Sequence, residues 1–398
     1  MLTRLGLSLA ILFTGSAQAE TITVGLGGDF ATINEALAEA SSHRPRYVQG
    51  GETVEVRLLS GFRMEEQVIV EQVDLGFVKI TSADREVRIV RSELTTQVYS
   101  EVYPAFTAFR NAVLPVIAVL FDMDTSGPAV NRTCFFISHD SRADFEVGSG
   151  CKHAGGRGLE VHNGSVVQAR ETIWTDAGEI GMRVANGAWV GARGSDVSGA
   201  PTCLAIDGGS HVAGHGMALD NCTGIAASVN HASSANFYKA RMSNAGSRAL
   251  SVRYASRVDA SYASIMNAGK DAVYAEGSTV DVQRSNLSGA GGTSVLATQG
   301  SQVNASSVTA NGSGTGVLSA SGSSISAREG NFCGARVNGC FAIDGSRIDL
   351  HSAKCQKGAT PSAADIVIKR GSFINATGAK GGLSHTRNVL VPQGIIFQ

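Results

Sequence analysis

A pair of small residues recurs along the second half of the chain at a nearly constant interval, and that interval is the tightest constraint on the fold. "GSTVDVQRSNLSGAGG" begins at Gly277 and "GSQVNASSVTANGSG" at Gly300. Equivalent pairs stand at Gly164-Ser165, Gly187-Ala188, Gly209-Ser210, Ala232-Ser233, Ala255-Ser256, Gly322-Ser323, Gly345-Ser346 and Gly371-Ser372. Successive offsets are 23, 22, 23, 23, 22, 23, 22, 23 and 26. A fixed period of this size marks a solenoid, in which each repeat is one supersecondary unit stacked on its neighbour.

The residues around the pair say which solenoid. Three places after it stand Val167, Val190, Val212, Val258, Val280, Val303, Ile325, Ile348 and Ile374, and two places further Ala169, Ala192, Ala260, Ala305 and Ala327. Alternation with a period of two is the mark of a strand. A second apolar position follows about ten residues past the pair, at Val197, Leu219, Met242 and Ile265, and a third precedes it, at Leu159 and Val161, Met182 and Val184, Leu204 and Ile206. The pattern predicts three short strands per coil of 22–23 residues, an all-β parallel β-helix. Helical repeats would need longer apolar runs at period 3.6, and these are missing. Each coil then lies about 4.8 Å above the last, with inward Val and Ile columns as core and alanine marking a narrow interior. Such a chain turns often, which accounts for 48 glycines among 398 residues. Glycine serves corners at positive φ, while Ser and Asn bond neighbouring backbone.

Outside the repeats the chain divides into three parts. Residues 1–19, "MLTRLGLSLAILFTGSAQA", combine Arg4, a short apolar run and Ala17-Gln18-Ala19, the pattern of a cleaved signal peptide. Residues 20–150 open with a strand and then a helix, where Thr32 and Glu35 form a capping box and Ile33, Ala36, Leu37 and Ala40 mark one apolar face. Such a helix can plug the open end of a solenoid. "ETVEVRLLSG", "QVIVEQVDLGFVKI" and "REVRIVRS" read as first coils, and from about Ser92 to Gly150 the pattern lapses into an insertion packed on the helix or a wide early coil. Residues 151–398 are the regular coils, ending in "NVLVPQGIIFQ", expected to cover the far end.

The expectation is a secreted or periplasmic protein. No later segment is long and apolar enough to be expected in a membrane; "AVLPVIAVLF" has about half the needed length. A formal net charge of -1 offers no basic surface for nucleic acid. Seven cysteines lack any C-x-x-C spacing, so no zinc ribbon or redox motif is implied, nor any cofactor. Cys134 and Cys151 form the expected bridge, the others being read mainly as small buried apolar residues.

The opening "TVGLGGDFATINEALAEAS" resembles the entry segment of pectin-lyase-like right-handed β-helix proteins, which include pectinesterases and bacteriophage tailspike or tail-fibre proteins. "LPVIAVLFDMDTSG" and "GSGCKHAGGRGLEVHNGS" look more like the tail-protein branch. The resemblance covers most of the chain from Glu20 onward. It implies a right-handed β-helix, a polysaccharide partner and, from tailspike relatives, a trimer as one oligomeric state. It transfers no catalytic residue: the Q-D-T and R-P-W strings of pectinesterases are absent, and the two tryptophans stand in "TIWTD" and "GAWVG". An export signal is also out of place on a virion component: either the domain has been adopted by an exported cellular protein, the favoured reading, or residues 1–19 are not a signal peptide.

With the interior filled, function falls to outward columns. Six places after the pair stand Arg170, Arg193, His215 and Tyr238, with Trp189 and His211 nearby on the same face. Stacked rings beside Arg and His suit a sugar-binding groove, offering flat apolar faces and hydrogen-bond donors. Four places after the pair, Asp259 and Asp281 occupy neighbouring coils at about 5 Å, the carboxyl spacing of retaining glycosidases. The same pair could hold a cation, or Arg257 could pair with Asp259 as an ordinary surface ion pair. The reading is a β-helix that binds a polysaccharide along its side, with cleavage by lyase or glycoside hydrolase chemistry left open; the alternative is a non-catalytic adhesive module.

Overall fold

The computed structural model describes residues 20–43, 53–99, 101–356, 364–381, 383–385 and 395–397. The expected signal peptide and most of the expected C-terminal cover lie outside these residues. Within them the chain is a parallel β-helix. Sheet one has 16 strands, from Glu20–Val24 to Ile395–Phe397; sheet two has 14, from Val68–Glu71 to Leu383–His385. Sheet three has four: Arg63–Met64, Glu86–Ile89, Leu120–Met123 and Gly150–Lys152. Pairing is parallel and follows the sequence period, with Val167 opposite Val190, Val190 opposite Val212 and Val280 opposite Val303.

Three corners close each regular coil. Residues with left-handed φ recur just before or at the pair, seven places after it and twelve places after it, as at Gly187, Gly194 and Gly199 or at Tyr254, Tyr262 and Asn267. The stretch between the last two corners is only four residues long, too short for a full ladder. Beyond Gly150 the expected third strand is therefore a column of single bridges, from Gly150 opposite Ile173 to Lys354 opposite Lys380.

The serine of the pair is buried, and its hydroxyl is fully used. Ser301 donates to the Thr298 carbonyl at 2.7 Å and accepts the Ser278 N–H at 3.2 Å; Ser210 donates to the Asp207 carbonyl and bonds through its own N–H to Ser233. A buried hydroxyl left unpaired would cost about 1–3 kcal/mol, so a serine at this corner needs the next coil beneath it.

The interior narrows along the chain. In the early coils Phe106 lies 4.8 Å from Phe135 and 5.0 Å from Phe121, and Trp174, wholly buried, packs edge-on against Phe135 and Phe145. Later coils are filled by the Val, Ile and Ala columns. Phe237 and Phe332 are exceptions, and glycine makes room for each: a Cβ at Gly214 would stand 2.4 Å from the Met217 sulfur and 3.0 Å from the Phe237 ring, and one at Gly330 would stand 2.5 Å from the Phe332 ring. Residues 103–152, where the pattern lapses, form further coils with strands in all three sheets, the wide-coil alternative. The period is broken there by segments between strands. One is clamped by Arg91, whose guanidinium donates to the carbonyls of Thr125, Ser126 and Gly127.

The helix Ile33–Ser42 has the expected capping box and buries Ile33, Ala36, Leu37 and Ala40 against the first two strands of sheet one. Glu66 reaches its first turn, accepting from the N–H groups of Ile33 and Asn34. Cys134–Cys151 is bridged as expected. The reading of the other cysteines as merely apolar is corrected, because Cys203–Cys222 and Cys340–Cys355 are also disulfides and Cys333 alone is free.

Two outcomes follow from this packing. Val280, 1 % exposed in the central inward column, cannot accept a charge. Val280→Asp is expected to cost several kcal/mol and abolish the cooperative melt followed by far-UV circular dichroism. Burial alone would raise the Asp124 carboxyl, but bonds from the Ser126 hydroxyl and the N–H groups of Arg91 and Ser126, with the Arg88 charge, hold it down at about 2. A depressed acid stabilises the fold above its unfolded pKa, near 4, and loses that contribution as pH falls through its folded value. Asp124→Asn should be about 1 kcal/mol less stable than wild type at neutral pH, and the gap should close between pH 4 and pH 2 in denaturant titrations.

Candidate functional site

On the outer face of sheet one, the side chains two and four places after each pair stand in adjacent columns. Over the strands Ser234–Asn236, Arg257–Asp259, Thr279–Asp281, Gln302–Asn304 and Ser324–Ser326 nearly all of them are short. The face is therefore recessed into an open groove of about 650 Å³, running from His211 past Arg257, Asp259, Asp281 and Asn304 to Ser326. A second hollow of about 400 Å³, lined by Arg347, Asp349, Phe373 and Asn375, adjoins it at Ser324.

The residues singled out from the sequence fall at different places along this face. Asp259 and Asp281 lie opposite each other on neighbouring strands in the groove, with His211 at its end. Trp189 sits one coil beyond and stacks on His211 at 6.5 Å. His215 and Tyr238 occupy the bordering corner, edge to face at 5.0 Å. Arg170 and Arg193 are exposed on earlier turns of that corner, outside the groove lining, and Arg170 pairs with Glu171 at 3.3 Å. Arg257 makes no ion pair with Asp259 within 4.0 Å, leaving its guanidinium on the groove floor.

The carboxylate column has a structural task that sequence spacing alone did not show. Asp259 accepts from the N–H and hydroxyl of Ser261 at 2.9 and 2.5 Å, and Asp281 from the Gln283 N–H at 3.0 Å. Asn236, Asn304, Asp349 and Asn375 accept the corresponding N–H groups of Tyr238, Ser306, His351 and Thr377. A side-chain oxygen here braces the chain as it enters the corner, which Asp and Asn do equally well. Asn304 also donates to both oxygens of Asp281 at 3.2 Å, tying two coils together.

The rims carry rings that the sequence reading passed over. Tyr238 is followed on the next coil by Tyr262, 5.3 Å away, with the Arg284 guanidinium 5.5 Å from the Tyr262 ring and bonded to its hydroxyl. On the opposite corner His231 stacks on Tyr254 at 4.9 Å, and Arg253 lies 4.7 Å from the Tyr254 ring. The corner seven places after the pair is left-handed on every regular coil, with glycine at Gly194 and Gly216 and longer side chains at Glu171, Lys239, Tyr262, Arg284 and Glu329. The signal was available in the columns one place before and seven places after the pair.

His211 accounts for the remaining polarity of the groove end. Burial pushes its imidazole below the usual range, so the neutral form prevails at neutral pH. Its Nδ1 lies 2.8 Å from the Ser234 hydroxyl on the next coil.

The class these features define is a parallel β-helix with a lateral groove. No protein-family model matches the chain, and no curated protein matches it in sequence. Among solved structures it is similar to tailspike protein 3 of bacteriophage CBA120, at 10 % identity and a TM-score of 0.38, over 90 % of this chain and 58 % of that one. It is similar to DFA-IIIase from Arthrobacter chlorophenolicus A6, at 11 % identity and a TM-score of 0.32, over 90 % and 84 % of the two chains. The Dettilon tailspike protein matches at 9 % identity and a TM-score of 0.26, over 92 % of this chain and 65 % of that one. The chain thus spans less than two thirds of either tailspike, and its architecture rests on its own strand register.

If the carboxylate column braces the corner, Asp259→Asn should leave the denaturant midpoint unchanged, while Asp259→Ala should lower stability by about 1 kcal/mol. Equal losses in both variants would show that charge, not the accepting oxygen, matters there.

Proposed function

We propose that the chain is an exported protein that holds an extended polysaccharide along the outer face of sheet one. The observation that carries this reading is the groove itself, which is open lengthwise, floored by short hydroxyl, amide and carboxylate side chains and edged by paired rings. Sugars present alternating apolar faces and hydroxyls, and such a trench offers partners for both. The coil rise of about 4.8 Å repeats those partners at a spacing similar to one pyranose unit. Trp189, His211, His215 and Tyr238 extend the ring surface toward the N-terminal coils, with Arg170 and Arg193 as donors beyond.

Export is proposed from the composition of residues 1–19, with cleavage after Ala19, and the three disulfides support an oxidising compartment. Cleavage of the held chain is the finer reading, and its candidate groups are Asp259 and Asp281, in register on adjacent coils. A non-catalytic adhesive role would use the same groove without them as acids.

In affinity electrophoresis against a panel of acidic and neutral glycans, the wild-type protein is expected to be retarded by at least one, and Tyr254→Ala and Tyr262→Ala to weaken that retardation several-fold. Retardation that both variants leave intact would move the site off this face. Release of new reducing ends that Asp281→Asn abolishes would establish cleavage there.

A further inference from the structure

The His211–Ser234 contact differs from the contacts of the pair serines and joins two coils, whereas the other serine–histidine contact, Ser138 with His139, is between neighbours in sequence. The pair serines are buried, and their hydroxyls bond backbone groups. Ser234 stands two places after its pair, on the outer face, partly exposed, lining the groove. Its hydroxyl lies 2.8 Å from His211 Nδ1 on the preceding coil. With the ring proton on Nε2, the hydroxyl donates to Nδ1, the relation of a nucleophile to its base. The Trp189 indole, stacked on His211 at an interplanar angle of 19°, holds the imidazole from its other side. In the same column the strand register sets Arg257 opposite Ser234, one coil further on, and among the described residues Arg257 makes no ion pair with a carboxylate within 4.0 Å. Tryptophan, base, hydroxyl and cation thus follow one another on four successive coils in one column, the last three of them lining the groove.

We propose that Ser234 is an acyl-transfer nucleophile served by His211, and that the groove removes ester-linked acyl groups from an O-acylated polysaccharide. The proposal rests on the groove holding a glycan, and it adds an activity distinct from cleavage of the glycan chain. The Ser234 hydroxyl gives its proton to His211 Nδ1 as Oγ bonds the ester carbonyl carbon. The carbonyl oxygen takes the electron pair and lies toward Arg257, whose charge stabilises it. The carbon–oxygen bond to the sugar then breaks, and the sugar oxygen leaves as a hydroxyl with the proton from His211. Water completes the cycle: it loses a proton to His211, attacks the acyl-serine and releases the carboxylic acid, and the proton returns to Oγ. Burial keeps the imidazole neutral and able to accept the first proton.

The test uses the full exported chain, a fluorophosphonate probe and 4-nitrophenyl acetate, with acetate release from O-acetylated xylan and pectin as the glycan readout. Peptide mass spectrometry is expected to place the phosphonyl group on Ser234. His211→Asn and His211→Gln, each checked for a wild-type melting curve, should slow labelling and ester hydrolysis at least 100-fold, and Ser234→Ala should abolish both. Wild-type protein that is retarded by a glycan but takes no label at Ser234 overturns this proposal and leaves the groove reading standing. Labelling at Ser234 by a protein that no glycan retards keeps the nucleophile and overturns the groove reading. Labelling that both His211 variants leave unchanged overturns the assigned base.

Discussion

Hydrogen bonding from one coil to the next is the constraint on which everything else in this molecule depends. The outer-face N–H groups of Trp189, His211, Ser234, Arg257 and Thr279 each reach a carbonyl one coil back, at 2.9 to 3.0 Å. No coil satisfies its own backbone, so none is stable alone, and the stack must hold register over its whole length. The buried serine adds a check on that register. Its hydroxyl accepts the N–H of the serine one coil before it, and a slip of one residue would leave both groups unpaired in the interior.

Register turns sequence positions into columns, and columns make both the core and the groove. Inside, bulk is free to vary along the axis so long as each layer fits its neighbours, from the Phe and Trp layers of the early coils to the valine and alanine layers of the later ones. Outside, no packing demand selects size, so a run of short side chains between Trp189 and Phe373 is enough to hollow the face. Corners do the rest. They project side chains beyond the sheet, and where those are rings the hollow acquires walls.

Much of this was legible in advance because a solenoid repeats its evidence. The inward columns, the capping box at Thr32 and the pairing of Asp259 with Asp281 all followed from spacing alone. Other features were written but in a less direct form. The bridged cysteines are 17, 19 and 15 residues apart, each less than one coil, so each bridge closes within a single turn instead of joining equivalent positions on stacked coils. The coils of residues 103–152 were hidden because the segments between their strands break the period, although the strands themselves stay in the ladder. The corner rings Tyr254 and Tyr262 stand in columns that are otherwise polar or glycine, so no periodic apolar signal marks them. Spacing could not reveal the bracing role of the Asp and Asn column, since an acceptor for a corner N–H and a catalytic carboxylate look alike until the corner is seen.

The serine contacts show how one geometry serves two ends. A side chain in this fold meets its equivalent one coil away, and the environment decides what the meeting does. In the interior the hydroxyl of a pair serine such as Ser301 meets backbone, gives and accepts one bond each, and has nothing left over. On the outer face Ser234 meets an imidazole that burial keeps neutral, beside an open groove and an arginine that pairs with no carboxylate among the described residues. The interior contact is saturated and therefore inert. The exterior one pairs a proton donor with a base in reach of solvent, so the coil spacing that keeps the stack in register also sets a hydroxyl and a base at reacting distance.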